Sequence, residues 1–197
     1  MLDKMIGFIG AGNMGSAMIG GILDASLVTT SQIIASAHSP ETLDKIRTKF
    51  SIETTPSNEV VAERSDILFL AVKPNKFAEV LPQIKDHLKS DCLIVSIAAG
   101  QPIANIEAML GNVKLVRAMP NTPALVGAAM SALCPNDKVT PEEIKLVESL
   151  FNSFGRAEVV PESMMDAVVG VSGSSPAYVY MFIEAMADAA VADGMPR

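Results

Sequence analysis

The sequence has no tryptophan, few aromatic residues of any kind and only two cysteines in 197 positions. Cys92 and Cys134 lie far apart and lack the close spacing of metal ligands, so we expect neither a disulfide scaffold nor a bound metal. Basic residues are outnumbered, with 15 Lys and Arg against 22 Asp and Glu, which gives a formal net charge of −7. Because nucleic-acid phosphates are bound by clustered Lys and Arg, this balance argues against a nucleic-acid partner.

Long apolar runs are also missing. No run approaches the roughly 20 residues that a membrane-spanning helix requires, and no charged leader precedes the first strand-like run. We therefore predict a cytoplasmic protein with no membrane partner. What remains is an ordinary globular composition, 49% hydrophobic and 19% charged, in a chain long enough to form a substantial core.

Short apolar runs alternate with helical patterns from the start of the chain to about residue 118. The strand-like runs are residues 5–10, 33–37, 66–72, 92–97 and 113–117, and the helical segments between them are residues 13–25, 40–50, 75–87 and 102–110. Further along we predict an edge strand at residues 127–133, a helix at residues 141–154 and a short strand at residues 157–160. Repeated strand-then-helix units predict an α/β fold with a Rossmann-type, doubly wound, mainly parallel sheet.

The sequence changes character near Pro161, where we predict a domain boundary. Residues 1–161 would form the dinucleotide-binding domain, and residues 162–197 the beginning of an all-helical domain. We expect a helix at residues 164–171, a break at residues 172–175 and a long Ala-rich helix at residues 176–193, with Pro176 in its first turn. A helical segment this short cannot hold itself together. It either packs against the sheet domain or a partner, or the sequence is a fragment.

A glycine-rich motif directly follows the first strand and directly precedes the first helix. Its six residues are Gly10, Ala11, Gly12, Asn13, Met14 and Gly15, in the pattern G-x-G-x-x-G. In that context Gly10 permits a tight turn, Gly12 lets a pyrophosphate approach the backbone, and Gly15 lets the helix pack closely on the strand. The free N–H groups of the helix N-terminus then attract the phosphates. The motif therefore predicts a bound dinucleotide in preference to a glycine turn without a ligand.

The loop after the second strand bears on which dinucleotide is bound. An NAD-specific domain places an acidic residue about 20 positions after the glycines, to bind the ribose hydroxyls. Residues 35–40 contain no carboxylate, and Ser36, His38 and Ser39 supply hydrogen-bond donors instead. This favours NADP, with NADPH preferred and NADH as an alternative. His38 could equally be a solvated loop residue.

Three more segments follow predicted strand ends and are expected at the same edge of the sheet. In residues 72–74, Lys73 either adds positive charge near the phosphates or is a surface lysine stiffened by Pro74. Residues 96–100 have small side chains that would admit a flat ring. In residues 117–124, Asn121 and Thr122 supply polar groups.

Taken together, five segments resemble the pyrroline-5-carboxylate reductase family. They are Phe8-Ile-Gly-Ala-Gly-Asn-Met-Gly15, Phe69-Leu-Ala-Val-Lys-Pro74, Ser96-Ile-Ala-Ala-Gly100, Arg117-Ala-Met-Pro-Asn-Thr-Pro123 and Ser172-Gly-Ser-Ser-Pro-Ala-Tyr178. The resemblance implies hydride transfer from NAD(P)H to the C=N bond of 1-pyrroline-5-carboxylate, giving L-proline. It also implies a homodimer or a higher homo-oligomer. The cofactor-binding residues that it implies, besides residues 10–15, are Ser36, His38, Ser39, Asn58, Ala71, Val72, Lys73, Pro74, Ala98, Ala99, Met119, Pro120, Asn121 and Thr122.

Two departures from the family pattern leave the catalytic residues unassigned. Ser175 stands where the family usually has a second glycine, and the family's Gly-Gly-x-Thr segment, which grips the substrate carboxylate, does not occur in these 197 residues. Two alternatives remain open. One is a non-catalytic dinucleotide-binding module. The other is a β-hydroxyacid-type dehydrogenase, which is weakened because no lysine occurs between Pro161 and Asp193.

Overall fold

The computed structural model describes residues 2–197 and contains an eight-stranded sheet. In chain order the strands are β1 (Ile6–Ile9), β2 (Ile33–Ser36), β3 (Glu53–Thr55), β4 (Ile67–Leu70), β5 (Leu93–Ser96), β6 (Lys114–Met119), β7 (Ala129–Pro135) and β8 (Gly155–Val159). Their order in the sheet is β3-β2-β1-β4-β5-β6-β7-β8, and every neighbouring pair is parallel except β6 with β7. The predicted doubly wound, mainly parallel sheet is confirmed.

Within residues 2–197, eight α-helices accompany the sheet. They are α1 (Asn13–Asp24), α2 (Pro40–Phe50), α3 (Asn58–Arg64), α4 (Phe77–Ile84), α5 (Ile103–Leu110), α6 (Pro141–Asn152), α7 (Met165–Val168) and α8 (Ser175–Ala192). Local sequence explains several of their ends. The Ser39 hydroxyl accepts a hydrogen bond from the Thr42 backbone N–H and caps α2, and Thr140 with Glu143 forms a reciprocal capping box at the start of α6.

The core lies on both faces of the sheet, because successive strand residues point to opposite faces. Phe8 of β1 packs toward α1 and α6, where its ring stacks on Phe69 with centroids 4.7 Å apart and Phe151 adds a third ring. Ile9, the next residue of β1, packs on the other face with Phe77 of α4. Four of the parallel strands are buried along their whole length, which is why they read as continuous apolar runs.

Three sequence-based expectations about elements were wrong or incomplete. β7 is not an edge strand, because β8 pairs with its outer side. β3 and α3 were not predicted, since β3 has only three residues, none of them buried. The predicted break at residues 172–175 is confined to Ser174, which separates a π-helical turn, Val169–Gly173, from α8. The Ser174 hydroxyl donates to the Val169 carbonyl 2.9 Å away.

Helix α8 differs from the others because none of its residues is buried. Its exposed apolar side chains are Tyr178, Val179, Tyr180, Met181, Phe182, Ile183, Met186 and Val191. Across residues 2–197, we find no helix with both the length and the apolar character needed to cross a membrane.

Both cysteines are buried as free thiols. Cys92 is 4% exposed, and its burial raises the pKa of its thiol to about 12. Cys134 packs against Ala132 and Met165, beneath the start of α7, and burial raises its pKa as well.

Candidate functional site

The loops that follow β1, β2, β4, β5 and β6 lie at one edge of the sheet, where these parallel strands have their carboxyl ends. The chain runs from β1 outward to β2 and β3 and then crosses to β4 on the other side of β1. This reversal is the topological switch point at which open α/β sheets bind ligands. The structure therefore brings all the sequence-predicted segments to the edge expected of a binding site.

The glycine loop combines two crowded positions with one open position. Gly10 has φ +96°, and a Cβ there would lie 2.7 Å from the Ala71 carbonyl oxygen. At Gly15 a Cβ would lie 2.5 Å from the carbonyl oxygen of Gly10, whereas at Gly12 it would meet no atom within 4 Å. The fold itself thus requires Gly10 and Gly15. Gly12 instead leaves open space at the N-terminus of α1, where no side chain caps the free N–H groups. This cradle fits a pyrophosphate.

A cleft of about 240 Å³ adjoins this cradle and is lined by Ala11, Gly12, Asn13 and Ser16 together with Lys45 and Lys49 of α2. The two lysines bring positive charge to the side of the cradle, which suits an anionic ligand. Met14 contributes differently, since it packs against the core under the loop.

A second cleft, of about 250 Å³, lies beyond the ends of β2 and β4. Its lining residues are Gly10, Ala37, His38, Pro56, Asn58, Val72, Lys76, Glu79, Val80 and Gln83. Because it begins at Gly10 and extends toward the loop after β2, it has the position of the adenosine site in a Rossmann fold.

The structure separates the roles of the polar residues predicted around this cleft. Ser36 is 1% exposed, and its hydroxyl donates to Asn58 Oδ1 at 2.7 Å, so it orients Asn58. Asn58 Nδ2 in turn donates to Gln83 Oε1 at 2.8 Å. Ser39 is occupied in capping α2. Of Ser36, His38 and Ser39, it is His38 that lines the cleft.

The lysine that lines this cleft is Lys76 and not the predicted Lys73. Lys76 Nζ lies 2.8 Å from Glu79 Oε2. The Lys76 hydrogen bond lowers the pKa of the Glu79 carboxyl, and the nearby charge of His38 lowers it slightly further. Lys76, Glu79 and Gln83 were missed from the sequence. Their spacing of three and four residues puts them on one helical face, and that spacing was the available signal.

Small residues follow β4 and β5 at this edge of the sheet. Ala71 bonds through its N–H to the Ile9 carbonyl at 2.8 Å and lies against the glycine loop. Ala98 is buried while Ala99 is exposed. Val72 is half-buried and lines the cleft, and Pro74 begins a 3₁₀ turn that leads into α4.

The segment after β6 ties this edge to the C-terminal helices. Asn121 Oδ1 accepts from the Met130 N–H at 2.9 Å, and Asn121 Nδ2 donates to the Ser172 carbonyl at 3.1 Å. Met119 lies against Gly173, Pro120 is buried and Thr122 is exposed. The amide of Asn121 is therefore committed to holding the π-helical turn beside the edge.

An ion pair between a buried arginine and a partly exposed glutamate, also missed from the sequence, connects β6 to the C-terminal segment. Arg117 on β6 is 5% exposed, and its Nη1 lies 3.0 Å from Glu162 Oε1. The same carboxylate oxygen accepts from the Ile103 N–H at the start of α5, at 2.8 Å. Since Glu162 is the first residue after Pro161, this pair fixes how the chain leaves the sheet.

Comparison with known proteins gives matches over the whole chain. Residues 5–100 match the family described as NADP oxidoreductase, coenzyme F420-dependent, and residues 162–197 match pyrroline-5-carboxylate reductase dimerisation. Pyrroline-5-carboxylate reductase of Escherichia coli (strain K12) is 50% identical over 197 residues, which are 100% of this chain and 73% of that protein. The enzyme of Methanosarcina acetivorans is 45% identical over 198 residues, with the same coverage.

Solved structures of pyrroline-5-carboxylate reductases also superpose on this chain. The Plasmodium falciparum pyrroline carboxylate reductase with NADP bound superposes with a TM-score of 0.90 at 36% identity, covering 100% of this chain and 72% of that one. The Coxiella burnetii enzyme has a TM-score of 0.90 at 33% identity, covering 99% and 73%. Prephenate dehydrogenase from Aquifex aeolicus, at 19% identity and a TM-score of 0.73, shares the fold.

Proposed function

This chain belongs to the pyrroline-5-carboxylate reductase family, and from that premise we propose that it reduces 1-pyrroline-5-carboxylate to L-proline with NADPH as the hydride donor. The observation that carries the proposal is the open cradle at Gly12. Gly10 and Gly15 are fixed by backbone contacts around it, and the N-terminus of α1 presents uncapped N–H groups to it. An arrangement that only closed a turn would not need the space left at Gly12.

The roles we propose for the chain's own residues follow from their positions. The α1 N-terminus holds the pyrophosphate, and Asn58, oriented by Ser36, contacts the adenosine ribose. When bound, the cofactor supplies a hydride to the carbon of the C=N bond. Residues 119–122 and the small residues 98–99 border the place where the nicotinamide and the flat imine ring would lie together, so they orient the reacting pair and exclude water.

We further propose that residues 1–161 are the dinucleotide-binding domain and that residues 162–197 form part of a homodimer interface in a cytoplasmic enzyme. The dimerisation family matches this segment, and α8 exposes apolar side chains such as Tyr180 and Phe182 along its length. Contiguous apolar surface of this kind is typical of an interface.

The test is NADPH oxidation in the presence of 1-pyrroline-5-carboxylate, run beside NADPH fluorescence with the same protein. Wild-type protein is expected to bind NADPH and to form proline. Gly12→Ala is expected to weaken NADPH binding by about tenfold or more, because the added methyl fills the cradle. The matched control is Gly20→Ala, also on α1, whose added methyl meets only the Phe50 ring.

Each outcome has a definite meaning. Binding without turnover would favour the non-catalytic module, and the absence of both binding and turnover in a folded sample would contradict the proposal. Equal effects of Gly12→Ala and Gly20→Ala would show that the cradle is not the binding site.

A further inference from the structure

An ion pair between Lys76 and Glu79 lies in the second cleft described above, called the adenosine cleft from here on, at residues that were not predicted as site residues. Lys76 and Glu79 both line the cleft together with His38 and Asn58. The pair is 2.8 Å long, and the two side chains are 54% and 57% exposed. Neither residue belongs to a motif. Lys76 ends the 3₁₀ turn before α4, and Glu79 lies in the first turn of α4.

The chemistry of coenzyme discrimination makes this position significant. A carboxylate near the adenosine ribose accepts hydrogen bonds from the two free hydroxyls of NADH and repels the 2′-phosphate of NADPH. A lysine has the opposite preference, because it is a compact cation suited to phosphate. Residues 35–40 lack a carboxylate, but the fold supplies one from α4, already paired with a cation.

We propose that the Lys76–Glu79 pair sets the coenzyme preference of this protein. In this inference, which rests on the proposed NADPH-dependent function, Lys76 binds the 2′-phosphate once it is released from Glu79, and Glu79 bonds the ribose hydroxyls when the phosphate is absent. The pair therefore admits both coenzymes and favours NADPH by the difference between these two interactions.

The energetics of the pair suit such an exchange. An exposed Lys–Glu pair is weak and screened by solvent, so separating its members costs little. A phosphate monoester carries between one and two negative charges at neutral pH and offers three acceptor oxygens, so it competes successfully with one carboxylate for Lys76. Glu79 is an exposed carboxyl group and is therefore ionised at neutral pH. It therefore opposes the phosphate throughout the physiological range.

The experiment compares the binding of 2′,5′-ADP and 5′-AMP, which differ only in the 2′-phosphate, by calorimetry on the full chain. The variants are Lys76→Met and Glu79→Gln, with Lys85→Met as the control. Lys85 is an exposed lysine just after α4 and does not line the adenosine cleft. Lys85→Met therefore changes the net charge by as much as Lys76→Met does, but away from the cleft. Fluorescence titrations with NADPH and NADH repeat the comparison with intact coenzymes.

We expect Lys76→Met to weaken 2′,5′-ADP and NADPH by about tenfold and to leave 5′-AMP within about twofold, as for the loss of one charge-assisted phosphate contact. Glu79→Gln should strengthen the binding of 2′,5′-ADP by about threefold, because it removes the carboxylate that opposes the phosphate. It should weaken the binding of NADH by about the same factor, because it removes the acceptor for the ribose hydroxyls. Lys85→Met should change neither ligand by more than about twofold.

Three binding results with the variants would overturn the inference. They are equal weakening of both nucleotides by Lys76→Met, an effect of Lys85→Met as large as that of Lys76→Met, or stronger NADH binding in Glu79→Gln. Wild-type protein that turns over NADPH while the variants keep its coenzyme ratio would overturn this inference alone. Wild-type protein that binds no dinucleotide would overturn the proposed function as well.

Discussion

Residues 2–161, called the sheet region here, bury most of their large aromatic side chains, whereas helix α8 leaves its own exposed to solvent. In the sheet region the rings of Phe8, Phe69 and Phe151 have no exposed surface, whereas on α8 Tyr180 and Phe182 are 63% and 65% exposed. The sheet buries its own apolar residues because helices cover both of its faces. Helix α8 has no such cover within one chain. Apolar content therefore does not distinguish a residue that stabilises the monomer from one that is available to a partner, but position in the fold does.

The largest expected effect tests this comparison directly. Phe69→Ala should reduce the free energy of unfolding by about 3–5 kcal/mol, because it removes a buried ring from a stack and leaves a cavity. Phe182→Ala, the same change on α8, should alter monomer stability by less than about 0.5 kcal/mol. Urea denaturation at low protein concentration measures both. A large loss from Phe182→Ala in a monomeric sample would show that α8 is packed within the chain, and the comparison would then fail.

A smaller effect separates packing from binding inside the sheet region. Gly15→Ala should cost about 1–3 kcal/mol, because its methyl would press on the carbonyl oxygen of Gly10, a backbone atom that cannot easily move aside. Gly12→Ala, in open space, should leave stability nearly unchanged while weakening dinucleotide binding. Thermal melts with and without NADPH separate the two. The reverse order of stabilities would mean that Gly12 serves the fold and not a ligand.

The junction of the two regions should show an intermediate behaviour. Glu162→Gln removes the nearer carboxylate from the buried guanidinium of Arg117 and leaves the exposed carboxylate of Asp166, 3.8 Å from Nη2. We expect a loss of about 1–2 kcal/mol, because Glu162 is itself partly exposed. The loss should also loosen the start of the C-terminal segment, which limited proteolysis near Pro161 would detect. Glu158→Gln, an exposed carboxylate on β8, is the control and should change neither measurement. Equal proteolysis of both variants would argue against a fastening role for the pair.

The smallest expected effect is on the stability of the protein at acid pH. Hydrogen bonds from Lys138 and Asn136 hold the pKa of Glu107 below its ordinary value. A lowered folded-state pKa gives stability that is present above the unfolded-state value and is lost as the pH falls through the folded-state value. Glu107→Gln should therefore flatten the decline of unfolding free energy below about pH 5. Asp188→Asn on exposed α8 should leave that decline unchanged. Identical pH profiles for wild type and Glu107→Gln would remove this contribution.

Sequence reasoning predicted the sheet well because its central strands are buried on both faces and read as unbroken apolar runs. The predicted run at residues 33–37, for instance, became Ile33–Ser36. Strand β3 escaped prediction because an edge strand of three partly exposed residues carries no such signal. Helix α3 begins after a serine cap at Ser57, which is the sequence signal for its start.

The site was predictable as a set of loops and less so as a set of side chains. Residues in a loop follow no period, so the sequence could not reveal that Ser36 turns inward to Asn58 while His38 faces the cleft. Lys76 ends a 3₁₀ turn that begins at Pro74, Glu79 lies in the first turn of α4, and the direction of these two elements brings both residues to the cleft. That direction depends on tertiary packing. Sequence spacing shows which residues share a helical face, but not what that face meets.

The reactivity of the two buried thiols reports which part of this chain unfolds or detaches. Alkylating reagents attack the thiolate, and a thiol with a pKa of about 12 has almost none at neutral pH, so Cys92 reacts only when β5 is released into water. Cys134 lies under Met165, so a lifting of the C-terminal segment that leaves the sheet intact would expose it first. The ratio of the two labelling rates therefore distinguishes detachment of that segment from global unfolding, without any added probe.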